Sequence, residues 1–210
     1  MKGASTFWSW FSENERRFRD IEVPEKEQLL DELQENLQAV CEHFWFEVGG
    51  GETGPRELVI TAEGRVSVFA QLLEFVRAAP IIAGWEVVAF KPPQGFAFVT
   101  EYEDIILAPE ATWFLPLFSA SKPQSLGLRV AFAHFETAKE RQFMSAAYLM
   151  LEAGLGELAA AQEIDYLEVC RAPSVPELEG FRNLRTLPDY LAERSGGLVS
   201  NKSLERTREG

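Results

Sequence analysis

Carboxylates are the reactive side chains this chain holds in quantity, with 33 Asp and Glu against 2 His and 2 Cys. A carboxyl group can act as a general acid when burial raises its pKa while a second carboxylate stays ionised. Two groups of acids stand out. Glu101, Glu103 and Asp104 precede an extended apolar run, and Glu136, Glu140, Glu152 and Glu157 surround a long helical pattern late in the chain. Glu152, beside the apolar pair Met150-Leu151, is the first suspect, and Glu157, between Gly156 and Leu158, is the second. The plainer reading is of solvated carboxylates on helix faces and turns, so the sequence assigns no catalytic residue.

Other chemistries have less to work with. His134 and Glu136 are two apart on an extended segment, a spacing that projects both from one face and makes half a metal site. His43 and Glu47 are a second pair. Zinc takes three or four protein ligands with His and Cys prominent, and so few of either argue for packing residues and for no metal or cofactor. Cys41 is near His43, but it ends an amphipathic helix, where a buried thiol is expected, and no Gly-x-Ser-x-Gly elbow is present. The run Gly49-Gly50-Gly51-Glu52-Thr53-Gly54-Pro55 has backbone N–H groups to offer a phosphate. A phosphate cradle also needs a Lys and a helix N-terminus, whereas Pro55, Arg56 and a strand pattern follow, so the segment reads as a hairpin loop.

The elements that must position these groups belong to a chain of 210 residues, long enough to bury roughly 70% of its unfolded surface. The 16 Phe and 5 Trp require a core. The net charge of −13 opposes nucleic acid and anionic lipid, since the basic residues are not gathered into a patch. There is no signal-peptide pattern, no apolar run of membrane-spanning length and no disulfide framework, so a reducing cytoplasm is expected.

Periodicity supplies the order of elements. Phe7, Phe11 and Phe18 recur at helical spacing, flanked by Trp8 and Trp10, and a core role is favoured over a docking surface. A second helix opens at Pro24 and Glu25 and carries Leu29, Leu30, Leu33, Leu37 and Val40 on one stripe. Strands are expected at Phe44–Val48 and Leu58–Ile60, then a helix over Val66–Val76 after an Ala62-Glu63-Gly64 turn. Further strands fall at Trp85–Phe90, Ile105–Leu107, Thr112–Leu117 and Leu128–Phe135. A strong helix over Ala138–Ala153, interrupted by Gly154 and Gly156, precedes a last strand at Ile164–Val169. Pro188–Arg194 is a short helix and the polar run from Ser195 a frayed tail. This order lacks strict βαβα alternation. The fold expected is α+β, a largely antiparallel sheet covered by helices, with two αββ-type halves packed together as one form of it. Residues 1–194 are read as a single domain and 195–210 as the tail.

Several segments together resemble a family of bacterial conserved hypothetical proteins. They are Phe7-Trp8-Ser9-Trp10-Phe11 with Asn14-Glu15, Phe46-Glu47-Val48, Glu57 to Gly64, Ala79-Pro80 with Trp85 and Ala89-Phe90-Lys91-Pro92, and Leu149 to Leu158. The resemblance spans roughly residues 7–170. It implies a bacterial cytosolic setting and one integrated fold, and it brings no activity, cofactor or catalytic residue. With no reactive constellation, the first expectation is a non-enzymatic interaction or regulatory protein whose acidic faces meet another protein or a second copy of the chain. The alternative is an enzyme or small-molecule binding protein that uses carboxylates near the late helix.

Overall fold

Hydrophobic spacing is converted into structure in two compact units, Met1–Pro92 and Pro93–Gly210. The computed structural model describes residues 3–19, 26–51 and 54–195. Pro24 and Glu25, expected to open the second helix, lie outside the described residues, as does the tail from residue 196.

The first unit begins with α1 (Ala4–Asn14), which buries Phe7, Trp8 and Phe11, and a 3-10 turn over Glu15–Phe18 that buries Phe18. Helix α2 (Lys26–Gln38) buries Leu29, Leu33 and Leu37, one residue per turn along a single stripe. Each such side chain removed from water contributes on the order of 1.5–3 kcal/mol. Strands β1 (Trp45–Gly50) and β2 (Arg56–Thr61) form an antiparallel hairpin in the register Trp45↔Thr61 to Gly50↔Arg56. A turn at Glu63 and Gly64, both at positive φ, leads through the 3-10 segment Val66–Val68 into α3 (Phe69–Arg77). The chain then returns as β3 (Trp85–Ala89), parallel to β2. Strand β2 is central, and Leu58, Val59, Ile60 and Thr61 are all buried, so both of its faces are covered.

An aromatic cluster fills this unit. Trp8 stacks on Phe75 at 4.7 Å between ring centroids and donates its indole N–H to the Phe75 carbonyl at 3.0 Å. Phe11 meets Trp85 edge-on at 5.2 Å. The aromatic opening therefore belongs to the core.

The second unit opens with a two-stranded hairpin, β4 (Thr100–Tyr102) and β5 (Ile105–Leu107), whose turn residue Glu103 has φ 54°. After the 3-10 turn Pro109–Ala111, β6 (Thr112–Ser119) and β7 (Lys122–Phe132) form a long antiparallel pair from Thr112↔Phe132 to Ser119↔Lys122, with a bulge near the turn. A 3-10 turn at Thr137–Lys139 leads into α4 (Glu140–Leu155) and α5 (Glu157–Glu163), and β8 (Tyr166–Arg171) then pairs parallel to β7. The short β9 (Arg182–Asn183) pairs with β6, giving the order β8-β7-β6-β9, and α6 covers residues 187–195. Phe114, Leu128, Val130, Phe143, Ala146 and Met150 are at the centre of this core.

The α+β class is observed. The strands form three sheets rather than one, and antiparallel pairings outnumber parallel ones. Both units are built on one sequence of events: an antiparallel hairpin, a 3-10 turn, a helical crossover, and a strand parallel to the second hairpin arm. No repeat in residue identity announces this likeness.

Two local expectations are corrected. Gly154 does not interrupt the late helix; it lies inside α4, where a Cβ would fall 2.2 Å from the Phe96 ring. Gly156 alone breaks it, at φ 80° and ψ 155°, a conformation open to glycine. The strand expected to run to Phe135 ends at Phe132, so His134 lies in a turn.

Candidate functional site

A cleft of about 420 Å³ lies in the second unit, where the β4–β5 hairpin meets the start of α4. Its apolar wall is made by Ile105, Phe132 and Phe143, with Ala108, Ala111 and Ala133 keeping the space open. Asp104, His134, Glu136 and Lys139 add polar groups to the same lining. Such a mixture, mostly apolar with a few polar groups, is characteristic of small-molecule sites.

The local sequence explains each position. In the β4–β5 hairpin Tyr102 faces Ile105, so a two-residue turn presents Glu103 and Asp104 at the tip. Ile105 and Leu107 then point inward, at 6% and 3% exposure, while Ile106 between them points outward. On the other side, Arg171 at the end of β8 donates to the carbonyls of Ala133 and Phe135 and holds the turn that carries His134. Phe143 is fixed by edge-on and tilted contacts with Phe132 and Phe135, at 5.0 and 5.1 Å. Thr112, buried in the wall, donates to the Ala108 carbonyl at 2.9 Å.

Two polar links tie the hairpin tip to the helix start. Lys139 donates to Asp104, and Gln142 donates to Glu103. Glu136 is a second carboxylate neighbour of Lys139, at 3.6 Å. The hydrogen bond from Lys139 holds the Asp104 carboxyl below the usual range, and the same bond raises the Lys139 ammonium above its own. Both groups therefore stay charged at neutral pH.

The sequence-named candidates divide accordingly. Glu103, Asp104, His134 and Glu136 come together at or beside the cleft, while Glu101 is exposed on β4 and Glu140 exposed at the start of α4. Glu152 is half-buried on α4 and is not among the cleft's lining residues. Glu157 is 1% exposed as the first residue of α5 and is likewise not in that lining. Neither acid is free of interactions. His43 and Glu47 point to different neighbours, Glu42 at 3.7 Å and Lys91 at 3.6 Å. Among the described residues no group of three His, Cys, Asp or Glu is placed to hold a metal ion.

Cys41 and Cys170 are both half-buried free thiols. Burial pushes the Cys170 thiol above its ordinary range, which makes it a poor nucleophile at neutral pH. The glycine run serves Arg56. Its guanidinium donates to the Arg19 carbonyl at 2.8 and 2.5 Å and to the Gly50 carbonyl at 3.1 Å, and a Cβ on Gly51 would lie 2.7 Å from it.

Sequence reasoning missed Lys139, Thr112 and Ala133 as partners in one site. It also missed Arg129 and Glu168, directly opposite on β7 and β8 and joined at 2.7 Å, with Tyr166 donating to the same carboxylate at 3.0 Å. Lys139 sits in the Thr-Ala-Lys-Glu stretch that opens the late helix, and that was the available signal: a cation next to the segment's carboxylates.

Comparison with known proteins adds nothing to the geometry: no protein-family model, no curated protein and no solved structure matches the chain. Among the described residues no helix is long and apolar enough to cross a membrane.

Proposed function

We propose that the chain is a non-enzymatic binding protein, of regulatory type, that holds a small molecule in the cleft between the β4–β5 hairpin and α4. One observation carries this reading: an apolar pocket wall and a charged, mutually braced set of side chains occur at the same place. Glu152 and Glu157, the first two carboxylates suspected of catalysis, are not in the cleft lining, and of the suspected acids that are in it Asp104 is committed to Lys139 and Glu136 has the same ammonium at 3.6 Å. The other sequence expectation, acidic faces meeting a protein partner or a second copy, draws on the net charge of −13 without a particular place on the surface. Ligand binding is therefore the better supported of the two. A bacterial cytoplasmic setting belongs to the same proposal; it draws on the family resemblance and on the two free thiols.

A thermal-shift screen of metabolites against the full chain and against Ala133→Trp tests the reading. Ala133 is exposed and lines the cleft, so the larger side chain fills the space without removing core atoms. A true cleft ligand raises Tm in a concentration-dependent way, by about 2.7 kcal/mol of stabilisation at a hundredfold excess over Kd, and does so only in the unblocked chain. Ligands that stabilise both chains equally would count against the cleft.

A further inference from the structure

We infer that the cleft selects a small amphipathic amine, an apolar body carrying one ammonium head. The inference rests on the binding reading above and adds the chemical class of the ligand. The mouth carries two carboxylates, Asp104 and Glu136, around a single ammonium, Lys139. Lys139 is already committed to Asp104 and has Glu136 at 3.6 Å. An incoming carboxylate would be a third anion around the one lysine of the lining, which already has two carboxylates beside it. An incoming ammonium takes a place beside Glu136 and completes an alternating arrangement of charges, in which each cation lies next to a carboxylate. The surrounding field favours the same sign, since a chain of net charge −13 concentrates cations near its surface and repels anions.

The apolar half of the ligand is specified by the wall. Ile105, Phe132 and Phe143 offer carbon surface, and the three alanines around them leave room for a short alkyl chain or one ring. Thr112 has its hydroxyl proton committed to the Ala108 carbonyl, so it offers the ligand no donor. The carboxylates and the ammonium of the lining are Asp104, Glu136 and Lys139, grouped together, so the recognised molecule has its charge at one end.

The test compares ligands of one shape and different charge. Phenethylamine and hexylamine are titrated into the full chain beside hydrocinnamate, hexanoate and hexanol, with Tm and isothermal calorimetry as readouts. The amines are expected to bind, with affinity falling several-fold as salt is raised well above physiological strength. Glu136→Gln is expected to weaken them about threefold, in keeping with an exposed charge pair, and Ala133→Trp to abolish them. Acids or the alcohol binding as well as the amines, with the same loss in Ala133→Trp, would overturn the amine class and leave the cleft as a binding site. Amines that bind Ala133→Trp undiminished would place them elsewhere and overturn the inference. If none of the five binds, the amine class fails, and the metabolite screen alone then decides whether the cleft holds anything.

Discussion

Lys139 and Asp104, 35 positions apart in sequence, are joined across the mouth of the cleft, so that the turn of the β4–β5 hairpin is tied to the segment that opens α4. With the Gln142–Glu103 hydrogen bond beside it, this link ties the hairpin tip to the helix start.

The link has a titration signature. Asp104 is held below its ordinary value by the Lys139 hydrogen bond, so its contribution is present above the ordinary carboxylate range and is lost as pH falls through the lowered value. Lys139 is raised, so its contribution is present below the ordinary lysine range and is lost as pH rises through the raised value. Carbon-detected NMR of the carboxyl groups should show Asp104 titrating at lower pH than in a Lys139→Met chain. An unchanged Asp104 in that variant would show that the link does not persist in solution.

A second acid reports on the first unit. Burial pushes Glu15 up, but hydrogen bonds from Arg19 and from the Trp85 indole at 2.9 Å together outweigh it and hold the carboxyl below its usual range. Its stabilising effect is then present above the ordinary Glu value and is lost as pH falls through the lowered one. Glu15→Gln should cost about 1–2 kcal/mol at neutral pH and close to nothing in strong acid. Urea unfolding followed by tryptophan fluorescence at the two conditions measures the difference. An equal cost at both would mean that the charge is irrelevant there.

The third prediction concerns packing in the second unit. A Cβ at Gly154 would meet the Phe96 ring at 2.2 Å, so Gly154→Ala should destabilise by about 1–3 kcal/mol despite alanine's better helix propensity. Phe96→Leu in the same chain should recover part of that loss. Chemical denaturation of both single variants and the double variant gives the coupling, and strict additivity would refute the contact.

Most of the elements were legible because long buried stretches repeat their period. Leu29, Leu33 and Leu37 announce α2, and Leu128, Val130 and Phe132 announce β7. The misses have physical causes. Strands β4 and β9 hold three and two residues, too few to show alternation. Glu152 drew suspicion from Met150 and Leu151, but a helix turns about 100° per residue, so Glu152 does not share the face that buries its neighbours. His134 was assigned to a strand face because alternation continues past Phe132, where the backbone has already turned. The cleft itself combines Asp104 with Lys139 and Phe143 from two segments distant in sequence, and no local pattern encodes their meeting.

The central claim is that a small molecule is held between the β4–β5 hairpin and α4, and amide chemical-shift mapping of the full chain during titration with phenethylamine tests it most directly. The account predicts saturable shifts concentrated in residues 104–112 and 132–143, and their loss in Ala133→Trp. Shifts centred instead on α2 and β1, or shifts in 104–112 and 132–143 that survive in Ala133→Trp, would contradict it.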